Sequence, residues 1–171
     1  MRGYACIGLD NPKSLVNVGS VFRAAGCYGV SMVALSGLRA IRHIAHSPTD
    51  TQKAIRHIPI LRTNDLKEVI PFDCVPVAVD LIEGATSLQD YKHPQRAFYI
   101  FGAEDATLGT RITSWCRDII YVPTNGCMNL AAAVNVILYD RQLKSHNQQM
   151  QPTSNQVRVK LTQPQRVVAC G

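Results

Sequence analysis

The stretch Tyr121–Tyr139, YVPTNGCMNLAAAVNVILY, passes from strand to polar turn to helix within a few residues. Ile119 to Val122 is a short β-favouring apolar run that Pro123 stops, and Thr124, Asn125 and Gly126 are turn formers. A helix is predicted next, because Leu130, Val134, Ile137 and Leu138 recur at helical spacing and Asn129 stands where an N-cap belongs. Ala131, Ala132 and Ala133 give its first turn small side chains, which suit helix formation and also let a backbone or a flat ligand come close. Taken alone, the stretch reads first as an ordinary strand-to-helix connection. In an open α/β sheet, however, ligands collect beyond the carboxyl ends of the strands, where such loops gather.

Outward from this stretch the same alternation repeats. Tyr4 to Leu9 reads as a strand, Asp10, Asn11 and Pro12 as a turn, and a helix begins at about Ser14 with Leu15, Val18, Phe22 and Ala25 as its buried stripe. Gly26 or Gly29 ends that helix before a strand over Ser31–Ser36. Gly19 and Arg23 lie four apart, on a flank away from the stripe, and a glycine inside a helix costs roughly 1 kcal/mol relative to alanine, which suggests a packing or access reason. A helix is possible within Pro48–His57 and a short one over Thr63–Ile70; strands follow at Cys74–Asp80 and Ala97–Gly102, and a helix from about Leu108 to Cys116. Glu104 and Asp105 then stand in the loop after a strand, as helix caps or facing a ligand. The pattern predicts an α/β fold with a mostly parallel sheet flanked by helices.

A chain of 171 residues, 46% hydrophobic and 18% charged, fits one domain. We expect residues 1–144 to form it and residues 145–171, rich in Gln, Asn, Ser, Thr and Pro, to be a polar basic tail, either an edge strand over Val157–Leu161 or an arm near RNA. The formal net charge is +6, and one stretch carries cations with almost no acids. Between Asn11 and Thr63 stand Lys13, Arg23, Arg39, Arg42, Lys53, Arg56 and Arg62, with Asp50 the only acid. Such runs are usually solvated surface, but cations with almost no counter-charge are also what phosphate contacts require, and Arg39, Arg42, Lys53 and Arg56 are the candidate RNA contacts. The six cysteines are scattered without C-x-x-C or ligand-like His spacing, so no metal site is expected, and free thiols suit a reducing compartment. No secretory signal pattern and no run of membrane-span length is read, and the expected location is cytoplasmic. Neither a G-x-x-x-x-G-K-[ST] nor a G-x-G-x-x-G fingerprint is present.

Three segments in order, NPKSLVNVGSVFRAAGCYGV, FYIFGAEDATLG and IIYVPTNGCMNLAAAVNVILYDR, resemble the three motifs of the SpoU/TrmH branch of the SPOUT methyltransferases, over Tyr4 to about Leu143. The resemblance implies a deep trefoil knot at the carboxyl end of a parallel sheet and a homodimer. It also implies transfer of methyl from S-adenosylmethionine to a ribose 2′-hydroxyl of RNA. The small single-domain tRNA enzymes are the most similar, so tRNA, at its wobble nucleotide, is favoured over rRNA. A non-catalytic RNA-binding module of the same fold is the alternative. Carried over by position, Asn17 and Arg23 match the first motif, Glu104 the second and Asn129 the third, and these four are the expected catalytic-site residues. The cofactor is expected among Leu81, Gly102, Val122, Cys127, Met128 and Leu130. Cys127 stands where a serine is common, and Ala131 where another is frequent. Arg23 is the family's favoured activating residue; because arginine donates but does not accept protons, its expected role is to stabilise the developing 2′-alkoxide.

Overall fold

The computed structural model describes residues 3–37 and 54–149. Its first unit is strand β1 (Tyr4–Asp10), helix α1 (Leu15–Tyr28) and strand β2 (Met32–Ser36). Ser14 caps α1 by accepting from the Asn17 N–H, and Gly29 ends it in the left-handed region at φ 66°, where a side chain would be strained. A 3₁₀ turn at Ala54–Arg56 leads to β3 (Ile60–Thr63), and a second at Leu66–Val69, capped by Asp65, precedes β4 (Val75–Val79). The remaining elements are β5 (Thr86–Ser87), β6 (Arg96–Phe101), α2 (Gly109–Thr113), β7 (Asp118–Tyr121) and α3 (Leu130–Gln149).

The seven strands form one sheet in the order β3-β2-β1-β6-β4-β7-β5, and every pairing is parallel. Both faces are covered, so the strands read as continuous apolar runs. Alternate residues of β1 separate two cores. Ala5, Ile7 and Leu9 join Val18, Phe22 and Ala25 of α1 and Val134, Ile137 and Leu138 of α3, whereas Cys6 joins Phe98, Ile100, Leu108 and Ile112 on the opposite face. Full burial of Val18 or Phe22 contributes about 1.5–3 kcal/mol each.

The α/β class with its parallel sheet is as expected, and several local expectations are corrected. Thr63–Ile70 is no α-helix, because Thr63 turns back onto Asp65 and Pro71 follows directly; only the 3₁₀ turn fits between. Strand β3, ILRT, precedes that turn and has no counterpart in the sequence expectations. The helix expected over Leu108–Cys116 is only the five residues of α2, starting at Gly109 with φ 65°. Of the two reasons open for Gly19, packing fits, since it is buried while Arg23 is exposed. Helix α3 continues to Gln149, past Lys144, and the rest of the expected tail lies outside the described residues, as does most of Pro48–His57.

Strand β7 lies between β4 and β5 although it follows both in sequence. The segment joining them therefore passes over the carboxyl end of β7, pinned by the Asp80 N–H donating to the Ile120 carbonyl (2.9 Å) and Leu88 N–H to Tyr121 (2.8 Å). On its return, residues 88–95 grip α3. Lys144 donates to the carbonyls of Leu88, Gln89 and Tyr91, and Arg141, 8% exposed, donates to those of Pro94 and Gln95 and to the Tyr99 hydroxyl. His93 is wedged between the Tyr99 hydroxyl (2.6 Å) and Asp140 (2.8 Å).

Candidate active site

The carboxyl ends of β1, β4, β6 and β7 put the three motifs side by side. Glu104 is aimed at the amino end of α1, where helix N–H groups lack internal partners. Its carboxylate accepts from the Lys13 N–H (3.0 Å), the Ser14 N–H (3.3 Å) and the Asn17 side-chain amide (2.6 Å). Asn129 in turn donates its amide to the Asn17 carbonyl oxygen at 3.0 Å. The Asn129 oxygen accepts from the Ala131 (2.9 Å) and Ala132 (3.4 Å) N–H groups, as an N-cap does. This last bond sets the direction of the whole chain. With its oxygen committed to the helix, Asn129 can only donate to Asn17, and Asn17 can only donate to Glu104. Glu104 is thus an acceptor throughout. Burial raises its pKa, but the Asn17 amide and the backbone N–H groups outweigh that and hold it below the ordinary value, so it is ionised at neutral pH and poorly suited to take a proton.

Beside this chain is a cleft of about 150 Å³. Phe101, Gly102, Met128, Leu130 and Ala133 supply apolar or small walls, and Asp80 and Glu104 its carboxylates. Of the expected cofactor residues, Gly102, Met128 and Leu130 line it. Val122 is half-buried against the core, Cys127 is exposed, and Leu81 is 74% exposed; these three are not in its wall. Of the expected catalytic residues, Asn17, Glu104 and Asn129 meet, while Arg23 is exposed on α1 outside their chain of bonds. Arg56 is exposed; Arg39, Arg42 and Lys53 lie outside the described residues.

Sequence reasoning missed Asp80, whose carboxylate accepts from the Leu81 N–H (2.8 Å) and the Leu108 N–H (2.7 Å). An Asp immediately after a buried strand was the available signal. Among the described residues no group of three or more His, Cys, Asp or Glu could hold a metal ion, and no helix is long and apolar enough to cross a membrane.

A fully parallel sheet with a small cleft and a polar chain at its carboxyl edge is an α/β arrangement, and in such sheets small molecules bind beyond the strand ends. The SpoU rRNA Methylase family model matches residues 4–139, and the chain belongs to that family. A Staphylococcus epidermidis protein assigned to the TrmH family of tRNA/rRNA methyltransferases is 23% identical over 145 residues, covering 81% of this chain and 57% of the relative. The chain thus spans little more than half the length of the curated relatives it matches. Among solved structures, the SpoU methyltransferase AviRb from Streptomyces viridochromogenes, in complex with AdoMet, superimposes with a TM-score of 0.75 at 21% identity, covering 86% of this chain and 62% of that one. A structure described as giving insight into 2-OH methylation of C/U34 on tRNA superimposes with a TM-score of 0.70 at 20% identity, over 84% of this chain and 92% of that one.

Proposed function

We propose that this protein is an S-adenosylmethionine-dependent RNA methyltransferase that modifies a ribose 2′-hydroxyl, with tRNA as substrate and the wobble nucleotide as target. The observation that carries the reading is the Glu104–Asn17–Asn129 chain, which joins all three motifs at the edge of the cleft. Family membership supports the activity, and the 92% coverage of the C/U34 structure supports the substrate.

The cleft suits the cofactor chemically. Apolar and small walls fit a flat nucleoside, and two carboxylates favour a ligand carrying positive charge. Its volume of about 150 Å³ is below the roughly 300–1,000 Å³ of typical ligand pockets, so Gly102, Met128 and Leu130 would hold only part of the cofactor. When bound, S-adenosylmethionine supplies an electrophilic methyl carbon on a positively charged sulfur. The chain's own residues must hold the attacking ribose in line, and such alignment is worth roughly 7–11 kcal/mol of barrier. Asn129 and Asn17, locked in one orientation, set the third loop against α1, and ionised Glu104 anchors both. Arg23 stabilises the developing alkoxide and grips a neighbouring phosphate, the proton passing to phosphate or water.

Arg23 acts in this reading across a homodimer. Val16 and Arg23 are exposed on α1, Tyr139 and Leu143 on α3, and the two helices pack together. The apolar residues of this surface suit a second copy, which would carry Arg23 to the partner's cleft. We also assign the trefoil knot to this chain; the placement of β7 between β4 and β5 supports it. The test is incubation with methyl-labelled cofactor and separate tRNA and rRNA, followed by digestion to nucleosides. Label in a 2′-O-methyl nucleoside at the tRNA wobble position is expected; label in a base overturns the ribose assignment, and no label in either RNA overturns the enzyme.

A further inference from the structure

We infer that Asp80 is a positioning residue of this site, the joint that sets the three loops of the cleft at one height. The inference rests on the cofactor reading above.

Three strands deliver those loops, β4, β6 and β7, and they are neighbours in the sheet, with Val79 opposite both Phe101 and Ile120. Asp80 is the first residue beyond β4 and touches all three. Its N–H donates to the Ile120 carbonyl on β7 at 2.9 Å. One carboxylate oxygen accepts from the Leu81 N–H (2.8 Å), turning the chain into its own loop. The other accepts from the Leu108 N–H (2.7 Å), at the end of the loop that starts at Gly102. That loop is already folded tightly over Gly102, where an added Cβ would come within 3.1 Å of the Ala106 carbonyl and 3.5 Å of the Leu108 nitrogen. A shift at Leu108 therefore moves Gly102, which lines the cleft together with Asp80 itself.

The task needs a carboxylate. Both N–H groups point inward at one side chain, and only a group with acceptors at both ends satisfies them together. Asparagine has the same shape but turns its NH₂ against one of the two donors. Glutamate keeps both acceptors but is one methylene too long for both spacings.

The experiment compares the full chain with Asp80→Asn by titration with S-adenosylhomocysteine and by steady-state kinetics in S-adenosylmethionine. Losing a hydrogen bond to a charged acceptor predicts Kd and KM raised about 10- to 100-fold, with the loss in kcat/KM carried mainly by KM. A merely structural role lowers the folded fraction and leaves KM of the folded enzyme unchanged, so a Kd and KM within about twofold of the parent overturn the inference. Amide hydrogen exchange on the unliganded parent protein needs neither cofactor binding nor a folded variant. Strong protection of the Leu108 N–H is expected, and exchange at the free-peptide rate overturns the assignment of Asp80. Failure of the parent to bind S-adenosylhomocysteine while Leu108 stays protected counts instead against the cofactor reading.

Discussion

Replacing Asn17 by aspartate tests the directed chain of hydrogen bonds with almost no change in shape. The introduced carboxylate still accepts from Asn129, but it cannot donate to Glu104, and two carboxylate oxygens are left where a 2.6 Å bond had been. The lost bond is charge-assisted, worth about 1.5–3 kcal/mol. Glu104 is solvent-accessible, which screens the repulsion, so we expect a net loss of about 1–2 kcal/mol at pH 7 and a Tm lower by about 2–8 °C. The sign of the pH dependence follows. Glu104 in the parent has a depressed pKa, so its contribution is present above the ordinary carboxylate value of 4.5 and is lost as pH falls through the folded value. In Asn17→Asp the Asn17 part of that contribution is already gone while the Lys13 and Ser14 bonds remain, and a proton taken up by either acid restores a donor, so parent and variant converge as pH falls from 7 toward 4. Exchanging the two groups, Asn17→Asp with Glu104→Gln, gives the amide back on the other side. The oxygen of the new glutamine then accepts from the Lys13 N–H, while its NH₂ donates to the new aspartate and gives up the weaker 3.3 Å bond from Ser14. The double variant should recover about 1 kcal/mol relative to the sum of the single changes. Thermal unfolding of the four proteins at pH 7 and pH 4 reads this directly. Equal Tm for parent and Asn17→Asp at pH 7, or strict additivity in the cycle, refutes the reasoning.

Buried His93 is held neutral, since burial lowers its pKa more than Asp140 raises it. Its folded pKa lies below the unfolded value of 6.5, so its stability contribution is full above about pH 6.5 and declines as pH falls through the folded value; His93→Gln, which keeps one donor and one acceptor, should flatten the Tm decline between pH 7 and 5. Arg141→Met takes the donor from the Pro94 carbonyl and one of two from Gln95, which keeps the Tyr4 N–H, and should cost about 2 kcal/mol by urea unfolding, with m unchanged. Arg23→Lys should lose most of the methyl-transfer rate while binding S-adenosylhomocysteine like the parent, because a point charge cannot make the forked contact; a rate near the parent's contradicts the role given to Arg23.

The buried strands were legible because a sheet covered on both faces demands unbroken apolar runs, as YACIGL and AFYIF are. The cap at Asn129 was equally plain, and the helix start near Ser14 and its stop at Gly26 or Gly29 were readable to within a few residues, since each is a local backbone requirement met by few residue types. What escaped was set by distant partners. Strand β3 has the exposed pair Leu61 and Arg62 and pairs with β2 alone among the described strands, so its pattern is weak. The placement of β7 between β4 and β5 has no local signature at all. Glu104, Asn17 and Asn129 could be picked out singly by resemblance, but their mutual bonds span 87 and 112 residues of sequence and emerge only with the fold. Asp80 was passed over for the same reason, because its second partner, Leu108, is 28 residues away.

The most direct test of the central claim is calorimetric titration of the protein with S-adenosylmethionine, repeated with S-adenosylhomocysteine. Saturable binding of both near one site per chain, abolished or strongly weakened when Gly102 is replaced by Val, is the predicted result. A folded protein that binds neither compound contradicts the assignment of the cleft.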